Sequence, residues 1–100
     1  MVERISELVA ELGNVTEQRT PSGYEFGREG TPFAIRELPT DVIEMRLGAD
    51  VAEAAMRTPD TAPSSRGPDW VRFAPATWDK FATDRLDAWF RVAWRLAGRT

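Results

Sequence analysis

The sequence predicts an α+β fold: a four-stranded antiparallel sheet with helices packed on one face, in the order α-β-β-β-α-β-α. Three observations carry this expectation. An amphipathic stripe of helical period lies at each end of the chain. Between the two, Gly and Pro cut the chain into short pieces whose apolar residues alternate. A length of 100 residues with 42% hydrophobic and 29% charged residues fits one folded domain over 1–100 rather than a disordered chain.

Ile5, Leu8, Val9 and Leu12 repeat at i, i+3, i+4 and i+7 and predict a first helix over about residues 2–12, closed by Gly13. Strands are expected near 23–28 and 33–38, joined by a turn at Arg28-Glu29-Gly30-Thr31. In the second of these, Phe33 and Ile35 would face the core, leaving Ala34 and Arg36 on the other side. The stretch Asp41–Leu47 alternates as a third strand, with Ile43, Met45 and Leu47 on one face and Val42, Glu44 and Arg46 on the other. Pro39-Thr40-Asp41 makes the turn before it.

Asp50 and Glu53 have capping-box spacing and would open a short helix, VAEAAMR, whose small residues suit close packing. Pro59 ends it. Residues 59–69, with three prolines, one glycine and small polar residues, form the expected mobile loop. Trp70-Val71-Arg72-Phe73 is the fourth strand, and the closing helix spans Thr77–Gly98 with Thr77 as its N-cap. That helix carries Trp78, Trp89 and Trp94, so most of the core is expected against it.

The absences bear on chemistry. There is no Cys, hence no disulfide, thiol nucleophile or thiolate metal site. There is no His, hence no imidazole base and none of the triads built on one. No cofactor, metal or catalytic residue is expected, and the reading is of a non-enzymatic protein. The N-terminal stretch is too charged for a signal peptide, and no run is apolar enough for a membrane span, so a cytoplasmic protein is expected. The net charge of −3 divides unevenly: residues 1–65 carry six arginines against twelve carboxylates, and residues 66–100 carry six arginines and Lys80 against four aspartates.

Two surfaces are candidates for binding. Arg36, Arg46, Trp70 and Arg72 would share the uncovered sheet face, where guanidinium forks and an indole could take a carboxylate, phosphate or base. The alternative is a solvated face on which these arginines pair with Glu25, Glu37 or Glu44. Trp94 lies about 160° round the last helix from Trp78. With Phe90, Arg91 and Arg95 it could form a protein contact, most simply a homodimer, unless the first helix or the 59–69 loop covers it. The Ser64-Ser65-Arg66-Gly67-Pro68 loop lacks the spacing of a phosphate-binding loop. Arg85 borders the apolar stripe, and Asp79, Asp84 and Asp87 read as solvated helix residues. A pI near 4.9 makes nucleic acid an admissible but disfavoured partner.

Gly13, Val15, Glu25-Phe26, Asp41, Arg46-Leu47, Gly67 and Trp70-Val71 together resemble the motifs of the small bacterial "luciferase domain" proteins of unknown function. The resemblance implies an α+β fold, and the family's name is no evidence of light-producing chemistry; the histidines that family tends to carry are missing here. The element order is also similar to the YjbR and CyaY-like group, small α+β proteins often labelled DNA-binding. Function is thus expected to be that of a binding or interaction module, with nucleotide or nucleic-acid binding through the Arg/Trp face as the alternative.

Overall fold

The computed structural model describes residues 2–99. It is an α+β fold of three helices and one antiparallel sheet. The elements are α1 (Val2–Leu12), β1 (Thr16–Thr20), β2 (Gly23–Arg28), β3 (Thr31–Glu37), β4 (Val42–Arg46), α2 (Ala49–Ala55), β5 (Thr61–Pro63), β6 (Trp70–Phe73) and α3 (Lys80–Ala97). The sheet has six strands in the order β1-β2-β3-β4-β6-β5, so the expected four-stranded sheet gains a strand at each edge.

Both added strands lack the pattern that marks a strand in sequence. Thr16-Glu17-Gln18-Arg19-Thr20 holds no apolar residue, because an edge strand with both faces in water has nothing to bury. Thr61-Ala62-Pro63 is three residues long and ends in proline, which an edge position tolerates. The expected loop at 59–69 therefore contains β5, held to β6 by pairing of Thr61 with Phe73 and Pro63 with Val71.

The core lies between the sheet and α3, with α1 packed on α3 and α2 against β6. Phe90 sits between Phe26 and Phe33, both edge-on, at centroid distances of 5.7 and 5.2 Å. Phe73 meets Trp78 and Trp89 in the same geometry at 5.5 and 5.1 Å. The buried residues of α3 are Ala82, Leu86, Phe90, Ala93 and Ala97. By helical period the buried stripe is expected through Trp78, Ala82, Leu86, Trp89, Ala93 and Leu96, with Phe81, Phe90, Val92 and Ala97 at its border; in the structure Phe90 and Ala97 are buried, Trp78, Trp89 and Leu96 only partly, and Phe81 is left 64% exposed.

The N-cap of α3 is Asp79, whose carboxylate accepts from the Ala82 N–H at 2.8 Å, rather than Thr77. Helix α2 starts after Gly48 at φ 86°, with no side-chain cap, so the Asp50/Glu53 capping box does not form. Among the described residues, no helix is long and apolar enough to cross a membrane.

One irregularity decides which side chains reach which face. Phe26 pairs with Ala34 and Gly27 with Pro32, leaving Phe33 as an extra residue in β3. At such a bulge two successive side chains can turn to the same side. Phe33 and Ala34 are accordingly both in the main core. Beyond the bulge the alternation is inverted: Ile35 pairs with Glu44 on the face turned from α3, and Arg36 pairs with Ile43 on the α3 face. The sequence expectation had both residues the other way round. Ile35 and Val42 are buried, yet lie outside the cluster that packs on α3.

Candidate functional site

The face turned from α3 carries Glu25 from β2, Ile35 and Glu37 from β3, Val42, Glu44 and Arg46 from β4, and Trp70 and Arg72 from β6. The register sets this: Glu25 pairs with Ile35, Ile35 with Glu44, Glu44 with Arg72, and Arg46 with Trp70. The phase of β6 is as expected from sequence, with Val71 and Phe73 inward. Arg46, Trp70 and Arg72 thus share one face, and Arg36 does not join them. On the other side of the sheet, the Arg36 Nε and Nη2 groups both donate to Asp41, at 2.9 and 2.6 Å.

Each guanidinium of the face has a carboxylate. Arg46 donates to Asp69 at 3.0 Å. Arg72 donates to both oxygens of Glu37, at 3.0 and 3.2 Å. Arg66, from the loop after β5, stands 3.7 Å from Glu44 and 5.5 Å above the centre of the Trp70 ring. Glu44 is the buried member of the set, 4% exposed. It accepts a short hydrogen bond from the Ser64 hydroxyl, and that same oxygen of Ser64 accepts from the Arg66 N–H at 3.1 Å. The Ser64-Ser65-Arg66 loop, read in sequence as a plain turn, is therefore strapped across the sheet by Glu44.

A hydrogen bond with the Glu44 carboxyl holds the Glu37 carboxyl below its ordinary range; burial opposes this, and Arg72 and Arg66 reinforce it.

Two depressions meet at Trp70 and Ser65. The first, about 680 Å³, is an open hollow on the sheet face lined by Glu25, Thr31, Pro32, Arg46, Arg66 and Trp70. The second, about 590 Å³, is mainly apolar and runs between α2 and the loop after β5. Its walls are Ala49, Ala52, Met56, Pro63, Pro68 and Trp70. Of the groove walls, Trp70 is a candidate from the sequence, whereas Ala49, Ala52 and Met56 of the α2 side are not singled out there. The one signal was the run of small residues in α2, which leaves room beside the helix instead of filling it. Glu37 and Glu44 line neither depression; Glu44 braces the loop from beneath and Glu37 holds Arg72. Among the described residues, no group of three Asp or Glu side chains is arranged to hold a metal ion.

The second candidate surface is largely occupied. Phe90, expected at an interface, is fully buried between Phe26 and Phe33 because the helix stripe is shifted. Trp94 is half-buried: Arg28 lies over its ring and its indole N–H donates to the Gly13 carbonyl at 3.0 Å. Its cover therefore includes Arg28 of β2 and Gly13, the residue that follows α1. Arg91 pairs with Glu11 at 2.6 Å and Asp87 at 3.2 Å, tying α3 to α1. Arg95 is left exposed. Arg85 spans from α3 to the Pro59 carbonyl at 2.6 Å and stands 4.8 Å from the Phe73 ring centre.

Comparison with protein-family models, with curated proteins and with solved structures finds no match to this chain.

Proposed function

We propose that this protein is a non-catalytic binding module whose site is the double depression around Trp70. The observation that carries the reading is the meeting of an apolar groove and a polar hollow at a single indole. An apolar side chain of a partner polypeptide would fill the groove beside Ala49, Ala52 and Met56. The adjoining polar groups would meet Glu25, Arg46 and Arg66 in the hollow. Trp70 offers a rigid flat wall to both, the kind of residue that dominates binding energy at interfaces. Of the residues resembling luciferase-domain motifs, Glu25, Arg46, Gly67 and Trp70 line this cleft.

The test is a heteronuclear NMR titration with short peptide amides that place Leu or Phe next to Lys, Gln or Glu. The expected result is movement of the Trp70 indole, Ser65 and Met56 signals, with the Lys, Gln and Glu series ranking the polar preference. Ala49→Phe, at the exposed rim of the groove, should abolish the response while leaving the core signals in place. Peptides that leave these signals still at millimolar concentration, or shift residues elsewhere, would overturn the reading.

A second reading is nucleotide or nucleic-acid binding across the same face, favoured by Arg46, Arg66 and Arg72 around Trp70. The pairing of every one of these guanidiniums with a carboxylate counts against it, since a phosphate would have to displace Asp69, Glu37 or Glu44. Steeply salt-dependent binding of a short single-stranded oligonucleotide would favour this second reading over the first.

A further inference from the structure

We infer that β1 is a self-complementary edge through which two copies of this chain pair. Edge strands expose a row of unpaired backbone groups, and proteins usually blunt them with charged side chains, proline, a bulge or extreme shortness. The far edge of this sheet is blunted: β5 is three residues long and ends in Pro63. Strand β1 is protected only by Glu17 and Arg19, whose opposite signs a second copy of the same strand can neutralise. It has five residues without Pro or Lys, its pairing with β2 is regular throughout, and residues 16 to 19 are exposed.

The register fixes which of its backbone groups are free. Thr20 pairs with Gly23 across the two-residue turn Pro21-Ser22. A pair closing so short a turn is bonded through its own N–H and C=O groups. Pairs in an antiparallel ladder alternate between bonded and non-bonded. Thr16, Gln18 and Thr20 therefore turn their backbone groups towards β2, and Glu17 and Arg19 turn theirs outward.

The side chains match this geometry. An antiparallel copy related by a two-fold axis at Gln18 sets Glu17 opposite Arg19 of the second copy, Arg19 opposite its Glu17, and Thr16 opposite its Thr20. The Glu17–Arg19 pairs are the ones whose outward backbone groups exchange hydrogen bonds. Any shift of this register by one residue would lose both matches. Glu17 and Arg19 pair with Phe26 and Tyr24 respectively and so share the α3 face. Glu17 has no ion pair or side-chain hydrogen bond among the described residues, and Arg19 touches only the Tyr24 ring and hydroxyl, at 5.2 and 3.3 Å. A carboxylate and a guanidinium are therefore both available, at the spacing that self-pairing needs.

The interface is isologous and closes on itself, joining two six-stranded sheets into one. It is smaller than the interfaces of permanent dimers, so association is weak and concentration-dependent.

Sedimentation velocity from about 10 μM to about 1 mM spans the range in which so small an interface is populated. The expected result is a monomer–dimer equilibrium, with nuclear Overhauser contacts between Glu17 and Arg19 in a mixed-label sample. Glu17→Arg and Arg19→Glu should each weaken self-association at least about 10-fold, because like charges then face each other at both symmetric positions. Mixing the two variants should restore pairing, since their reversed charges are complementary. Both positions are exposed, and a circular dichroism spectrum like that of the parent verifies folding. A chain that stays monomeric throughout would overturn the inference. So would a dimer indifferent to these reversals, a mixture that fails to pair, or an edge that recruits a foreign strand instead.

Discussion

Arg28 lies over Trp94, its guanidinium carbon 3.7 Å from the ring centre, and donates to the Trp94 carbonyl at 3.0 Å. One side chain of β2 thus holds both the ring and the backbone of the last turn of α3. A desolvated cation–π contact is worth about 2 kcal/mol. Arg28→Ala should therefore cost about 1–2 kcal/mol in urea denaturation, with Arg28→Lys recovering only part of it. Trp94→Ala should cost about 2–4 kcal/mol, less than for a fully buried Trp. Its sedimentation behaviour should be unchanged, because the ring is spent on intramolecular contacts.

Gly23 illustrates a close approach between strands. A Cβ built there would collide with the backbone carbonyl of Arg36 on β3. Backbone cannot step aside as a flexible side chain can. Gly23→Ala should therefore destabilise by about 2–4 kcal/mol, a size typical of overpacking and local strain. Gly30→Ala is the control, since a Cβ there meets nothing within 4 Å and only its φ of 85° opposes the change. Its loss in thermal denaturation should be the smaller of the two.

Stability should fall in acid, and two carboxylates carry part of the loss. The Glu44 carboxyl, and then Arg72, hold Glu37 below its ordinary value of 4.5. For Asp87, burial pushes upward but the Arg4 hydrogen bond and the charges of Arg4 and Arg91 outweigh it, leaving the group below its ordinary 3.8. A carboxylate whose pKa is lower folded than unfolded stabilises the fold above the unfolded value. That stabilisation drains away as the pH falls through the folded value. The loss should therefore set in below about pH 5, where the unfolded carboxylates begin to take up protons, and deepen on further acidification. Glu37→Gln and Asp87→Asn should each flatten the stability profile in that window, read by urea midpoints at successive pH values.

Glu44 ties the 64–66 loop to the sheet, so cutting it should loosen that loop before anything else. Glu44→Ala leaves Ser64 and Arg66 without their acceptor and should cost about 1–3 kcal/mol. Hydrogen exchange at the Arg66 amide should quicken, because its acceptor, the Ser64 hydroxyl oxygen, loses its anchor. Glu44→Gln keeps a hydrogen-bond acceptor and should show the smaller change.

Arg36 separates stability from binding. Arg36→Ala removes two short hydrogen bonds to Asp41 in a side chain only 12% exposed and should cost about 1–2 kcal/mol. Peptide titrations read at the Trp70 indole should be unaffected, because the two residues lie on opposite faces of the sheet. Loss of the Trp70 response in this variant would contradict the strand phase described here.

What the sequence by itself determined is what repeats along the chain. The period of Ile5, Leu8, Val9 and Leu12 marked α1, that of the aromatic C-terminal stretch marked α3, and alternation marked β4 and β6. These patterns exist because one side of each element is buried, so burial writes itself into residue order. From β6 alone the shared face of Trp70 and Arg72 could be read, and with β4 that of Arg46.

Tertiary structure decided what no local period records. Strand β1 is wet on both faces, so Thr16–Thr20 carries no apolar signal, and only its pairing with β2 makes it a strand. The bulge at Phe33 is a property of two strands in register; a single strand read by alternation puts Arg36 on the wrong face from that point on. The shift of the buried stripe to Phe90 follows from the position of Phe26 and Phe33 beneath it. The cleft at Trp70 forms only where α2, the loop after β5 and the sheet face converge. Periodicity reports which side of an element is buried, whereas a site depends on which elements meet, and that is settled by pairing and packing between residues far apart in the chain.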